Sequence, residues 1–95
     1  MRLVLSRAAL DDLVRLRDFL IRANPTAAQR AVSAISMAID TLVSLPERGK
    51  PIGNVGLREL IVPFGRSAYV VRFLPDRKRG EIVIVRVWHS REARE

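Results

Sequence analysis

Residues 19–32 read FLIRANPTAAQRAV, and the Asn24-Pro25 step inside them decides how the first half of the chain folds. A residue that precedes proline is pushed out of the α region, Asn is a strong helix N-cap, and Pro is well tolerated at the first helical position. One helix therefore ends near Ala23 while a second begins at once. Working back, Ser6 can accept a hydrogen bond from a free first-turn amide, and Asp11 and Asp12 sit early enough to favour the positive end of a helix. The first helix is expected from about Ser6 to Ala23. Its apolar stripe is Leu10, Leu13, Leu16 or Arg17, Leu20 and Ile21, with Arg15, Asp18 and Arg22 largely opposite. Working forward, Ala28, Ala31, Val32, Ile35, Ala38, Ile39 and Leu42 form the stripe of the second helix, whose alanines allow close approach. Residues 6–45 thus predict an antiparallel helical hairpin, with Met37 as an ordinary helix-face residue and not a ligand.

On either side of the hairpin the pattern changes to strands. LVL at 3–5 reads as a short one. PERGKPIGNVG at 46–56, with two Pro and three Gly, is a loop; it follows a helix and precedes a strand, the reverse of what a phosphate cradle needs. Three strands are expected at 57–62 (LRELIV), 67–74 (SAYVVRFL) and 81–89 (EIVIVRVWH). PDRKRG at 75–80 should close the last two into a hairpin with a charged tip, and SREARE at 90–95 should continue as a frayed helical turn. The fold class is α+β: an N-terminal strand and a helical hairpin packed on one face of a mainly antiparallel sheet with three C-terminal strands, in one domain over 1–95.

Composition narrows the chemistry. Ninety-five residues with 48% hydrophobic content suffice for one modest core. Without cysteine, neither a disulfide framework nor a thiolate metal site is available, and a reducing, cytoplasmic location is expected. No stretch has the length of a bilayer span or the look of an export signal. The net charge is +7, with +2 on residues 1–45 and +5 on residues 46–95, and fifteen of the seventeen cations are Arg. Such a field suits acidic partners, either nucleic acid or an acidic protein segment.

Strand periodicity sorts the arginines. Tyr69, Val71 and Phe73 read as the core side of the middle strand, leaving Ala68, Val70, Arg72 and Leu74 opposite. In the last strand Val83, Val85, Val87 and His89 share one face, and Ile84, Arg86 and Trp88 the other. Two helices can cover only one face of the sheet. Arg72, Arg86 and Trp88, joined by Arg58 if register allows, are therefore expected to make a partly apolar, partly cationic groove for a partner. The plainer reading is a solvated sheet side with Trp88 packed over arginine stems, and Val70 and Ile84 on that face weigh against it. Exchanging Arg72 and Arg86 for Glu is expected to abolish binding with little loss of stability. His89 could work as an acid or base, with Arg91 or Arg94 on a developing phosphate charge, yet a single His at a strand end is commonly structural and nothing beside it completes a metal site.

The order of elements, together with several residue groups, resembles the RelE/ParE superfamily of small bacterial toxins from type II toxin–antitoxin systems. The groups are Ala9, Asp12 and Leu13; Asn24-Pro25 with Ala27-Ala28; Leu45-Pro46 with Gly49; Gly56, Arg58, Glu59 and Leu60; Tyr69-Val70-Val71; and Arg86-Val87-Trp88-His89 with Arg91. The resemblance implies a cytoplasmic toxin, without cofactor, held by a ParD-like antitoxin through an acidic or amphipathic segment in a hetero-oligomer. RelE-like members cut messenger RNA in the ribosome, whereas ParE-like members bind DNA gyrase and block resealing. RelE-like members tend to carry Arg after the aromatic at the Tyr69 position, where this chain has Val70, and no Tyr follows Tyr69 here. The resemblance is thus closer to the ParE branch and implies a gyrase inhibitor acting by binding, of the kind that stabilises plasmids, with Arg58, Arg72, Arg86, Trp88, His89 and Arg91 as partner contacts. The alternative it implies is a metal-independent, ribosome-dependent endoribonuclease using Arg66, Arg72, His89 and Arg91.

Overall fold

The computed structural model describes residues 1–92. A short strand β1 (Arg2–Leu5) leads into helices α1 (Arg7–Ala23) and α2 (Pro25–Asp40), a 3-10 turn (Thr41–Val43), and strands β2 (Lys50–Pro51), β3 (Arg58–Phe64), β4 (Ser67–Asp76) and β5 (Glu81–His89). The Asn24 side chain accepts from the amides of Thr26 and Ala27 while its own N–H closes α1 on Leu20, so one residue ends one helix and starts the next. Ser6 caps α1 through the Ala9 amide. The stripe expected on α1 is rotated, however: Ala9, Asp12 and Leu16 are buried with Leu13 and Leu20 beside them, while Leu10 and Ile21 are 43% and 45% exposed. On α2 the residues Ala28, Ala31, Ile35 and Ile39 face the core and Val32 does not.

The five strands lie in the order β1-β5-β4-β3-β2, with β1 parallel to β5 and every other pair antiparallel. The hairpin covers one side, packing Leu16, Ile35 and Ile39 against Leu60, Val62, Tyr69, Val71 and Phe73 and against Ile82, Ile84 and Val87. Each fully buried side chain of this size contributes about 1.5–3 kcal/mol. The short strand β2 sits inside the segment expected to be a plain loop. Gly49 explains how it docks: its φ is +93°, and a Cβ there would lie 2.5 Å from the Glu59 carbonyl oxygen.

Two features escape a strict two-residue alternation. In the β4–β5 ladder Arg72 faces Arg86 but Phe73 faces Ile84, so Val85 is an extra, bulged residue. The bulge places Ile82 and Ile84 in the core along with Val87, and the assignment of Ile84 to the arginine-bearing face is thereby corrected. The second feature is the edge of β5. Once β1 stops at Leu5, the side chains of α1 take over its hydrogen bonding: Ser6 Oγ donates to the Val85 carbonyl and Asp12 Oδ2 accepts from the Val87 amide. A helix thus seals a strand edge that would otherwise invite pairing. After His89 the chain makes a turn and bend over residues 90–92 instead of a helical turn, and the rest of that expectation, Arg94 included, lies outside the described residues.

Candidate functional site

The residues singled out from the sequence separate into four places. Arg58 is opposite Phe73, on the helix side of the sheet, where its guanidinium donates to the carbonyls of Glu47 and Gly49 and pins the β2 loop. It does not join Arg72, which corrects the expected groove. Arg66 is exposed in the turn between β3 and β4. Arg72 and Trp88 share the face that the helices leave uncovered, and the guanidinium stacks over the indole at 4.9 Å from the ring centroid. His89 and Arg91 belong to the helix side.

The uncovered face is less cationic than expected. Arg72 donates from Nε and a terminal nitrogen to Glu59 Oε2 at 3.0 and 2.8 Å, and Glu59 is its direct neighbour across β3 and β4. Arg86 reaches round the β5 edge to Asp12, with Nε 2.7 Å from Oδ2 and a terminal nitrogen 3.0 Å from Oδ1. Both arginines are therefore neutralised locally. Reversing Arg86 to Glu would set a carboxylate against a buried one, so the expectation that stability survives this exchange does not stand. What the face offers instead is Ile61, 55% exposed on β3, and the Arg72 guanidinium lying over Trp88, which is buried together with Val70, so Trp88 is less available to a partner than expected.

Asp12 is the group that the sequence reading missed. It is 4% exposed and accepts from Arg86, from the Val87 amide and from Arg15. Burial pushes its pKa up, but the hydrogen bonds from Arg86, Val87 and Arg15 outweigh burial and hold it below the usual carboxylate value. Asp12 in turn raises the pKa of Arg86. An acidic residue inside an apolar stripe, three positions before Arg15, was the available signal.

On the helix side, His89 meets Tyr69 edge-on, with ring centroids 5.3 Å apart, and Tyr69 also packs against Phe64 at 5.8 Å. His89 Nδ1 accepts from the Arg91 amide at 3.1 Å, which leaves Nε2 to carry the proton in the neutral ring. Glu92 folds back: one carboxylate oxygen accepts from the His89 amide and the other pairs with Arg15. Burial, and then the charge of Glu92, raise the Tyr69 pKa. These side chains border a pocket between α1, the β3–β4 hairpin and the terminal turn. Among the described residues, no three His, Cys, Asp or Glu side chains converge as metal ligands, and no helix is long and apolar enough to cross a membrane.

Comparison with known proteins agrees with this architecture. Residues 3–94 match the family model described as ParE toxin of type II toxin-antitoxin system, parDE. Two curated relatives come from Caulobacter vibrioides: Toxin RelE1, 38% identical over 96% of this chain and 95% of its own length, and Toxin RelE2, 39% identical over 86% of each. A solved structure titled Chromosomal ParDE TA system from P. aeruginosa superposes with a TM-score of 0.75 at 28% identity, covering 94% of this chain and 95% of the other. A helical hairpin on one side of a five-stranded sheet, with matches along nearly its full length, places this chain in the ParE toxin family, within the RelE/ParE superfamily of type II toxin–antitoxin toxins.

Proposed function

We propose that the protein inhibits DNA gyrase by binding it, and that a ParD-like antitoxin neutralises it in a cytoplasmic hetero-oligomer. The reading rests on Val70 in place of an Arg and on three arginines being tied to carboxylates, with Arg91 left to serve a phosphate beside His89. Val70, which stands where ribonuclease-type members carry Arg, is buried on the opposite sheet face from His89. Arg72, Arg86 and Arg15 are held by Glu59, Asp12 and Glu92. Metal-free phosphodiester cleavage needs free cations aimed at the phosphate, and a set of arginines already committed to carboxylates stabilises that charge poorly. A mixed surface of exposed Ile61 and the Arg72 guanidinium, backed by the buried Trp88 ring, suits protein docking instead. The +7 charge and the exposed Leu10, Val14 and Ile21 along α1 fit an acidic, amphipathic antitoxin segment, and the similar solved structure is of a ParDE system.

The ribonuclease is the second reading. The His89–Tyr69 pair with Arg91 beside it favours this reading, as do relatives named RelE toxins. One pair of assays separates the two. Added to a gyrase supercoiling reaction, the protein should trap cleaved DNA, and Ile61→Asp should remove that effect with thermal stability retained. Added to a translating extract, it should leave messenger intact. Cut messenger together with unaffected gyrase would transfer the function to the ribosome.

A further inference from the structure

The pocket on the helix side has a volume of about 630 Å³. Sites for small organic molecules span about 300–1,000 Å³. Leu16, Phe19 and Leu20 of α1 form one wall, and Phe64 and Tyr69 another. Phe19 is 72% exposed, an unusual position for an aromatic ring, and it lines the opening.

The polar groups here divide sharply into engaged acceptors and spare donors. Both Glu92 oxygens accept hydrogen bonds, and His89 Nδ1 is taken by the Arg91 amide. Arg15 is shared among Asp12, Glu92 and the Val87 carbonyl. Three donors remain: the Nε2–H of His89, the Tyr69 hydroxyl and the Arg91 guanidinium. Among the described residues neither that hydroxyl nor that guanidinium has a hydrogen-bond or ion-pair partner. The Tyr69 hydroxyl, protonated at neutral pH even at its ordinary pKa of 10.0, can donate. A slot with aromatic walls and unsatisfied donors is complementary to a flat apolar body that ends in an anionic acceptor.

We propose that this pocket binds a small aromatic carboxylate of one or two rings, its body against Phe19, Phe64 and Tyr69 and its carboxylate on Arg91 and His89. The site faces away from Trp88 and Arg72 and so rests on the binding reading of the function, because the ribonuclease reading would claim His89, Tyr69 and Arg91 for messenger RNA. A bare inorganic anion would leave the aromatic walls unused, and a neutral ring would leave the donors unused.

Chemical-shift titration of the full chain tests this, with 1-naphthoate as ligand and 1-naphthamide, inorganic phosphate and a ribodinucleotide as controls. Naphthoate should move the resonances of Leu16, Phe64, Tyr69 and His89 and bind about tenfold tighter than the amide. Arg91→Gln should abolish that preference while naphthamide binding persists, and Arg91→Lys should restore part of it; circular dichroism verifies that each variant is folded. Equal affinity for naphthoate and naphthamide would overturn the proposal. So would shifts centred on Trp88 or on the outer side of the helices, or tighter binding of phosphate or the dinucleotide.

Discussion

Replacing Asp12 with Ala probes the joint between the helical hairpin and the sheet. The substitution removes the acceptor for the Val87 amide, which lies on a buried strand residue, and a buried unsatisfied donor costs about 1–3 kcal/mol. It also strands Arg86. Breaking a fully buried pair costs about 3–5 kcal/mol, but the Arg86 side chain is 37% exposed and can turn to water, so only part of that applies. The expected loss is about 3 kcal/mol, which lowers the melting temperature of a domain this size by about 15 °C. Asp12→Asn keeps an oxygen for Val87 and should lose about 2 kcal/mol. Pairing Asp12→Ala with Arg86→Leu in a double-mutant cycle should reveal a coupling of at least about 1 kcal/mol. Acid supplies an independent check. A carboxyl with a folded pKa below its unfolded value of 3.8 contributes stability that is present above that value and vanishes as pH falls through the folded one. The gap between wild type and Asp12→Ala, measured by urea unfolding, should therefore start to narrow as pH falls below about 3.8 and keep shrinking until pH has passed the lower, folded value. A penalty under about 1 kcal/mol at neutral pH, or an additive cycle, would refute the account.

Gly49→Ala should destabilise by about 2 kcal/mol or more in urea unfolding, because a left-handed backbone and contact with the Glu59 carbonyl must both be relieved. The single Tyr69 should ionise above its ordinary value of 10.0 when followed by ultraviolet absorbance, and Glu92→Gln should move the midpoint down. The sign for stability follows: the contribution is complete below the unfolded value and disappears as pH rises through the folded one. His89→Ala should retain most toxicity in cells that lack antitoxin if the protein acts by binding; complete loss with normal folding and antitoxin affinity would establish His89 as a proton carrier. Arg72→Gln should weaken gyrase trapping at least about tenfold, read from titrated cleavage assays.

The helical hairpin was legible because its information is local. Asn24-Pro25 acts on its own backbone, and the stripe of α2 repeats within the reach of a few turns. Strand existence and the family were legible for the same reason, since Gly65 and Gly80 punctuate neighbouring segments, although β4 runs on through Pro75, where an end was expected. The side chains that meet at the candidate site were a different matter. Asp12 and Arg86 are 74 residues apart, Arg15 and Glu92 are 77 apart, and no local pattern reports such pairs. A single bulged residue, Val85, moved Ile84 into the core, and the antiparallel register assigned Arg58 to the helix side, away from Arg72. Which arginines are spent on carboxylates and which remain free depends on three-dimensional partners, because a charge is neutralised by whatever lies within a few ångströms of it. Composition therefore determined that the chain is basic, and only packing decided that Arg72 and Arg86 are already answered while Arg91, among the described residues, is not.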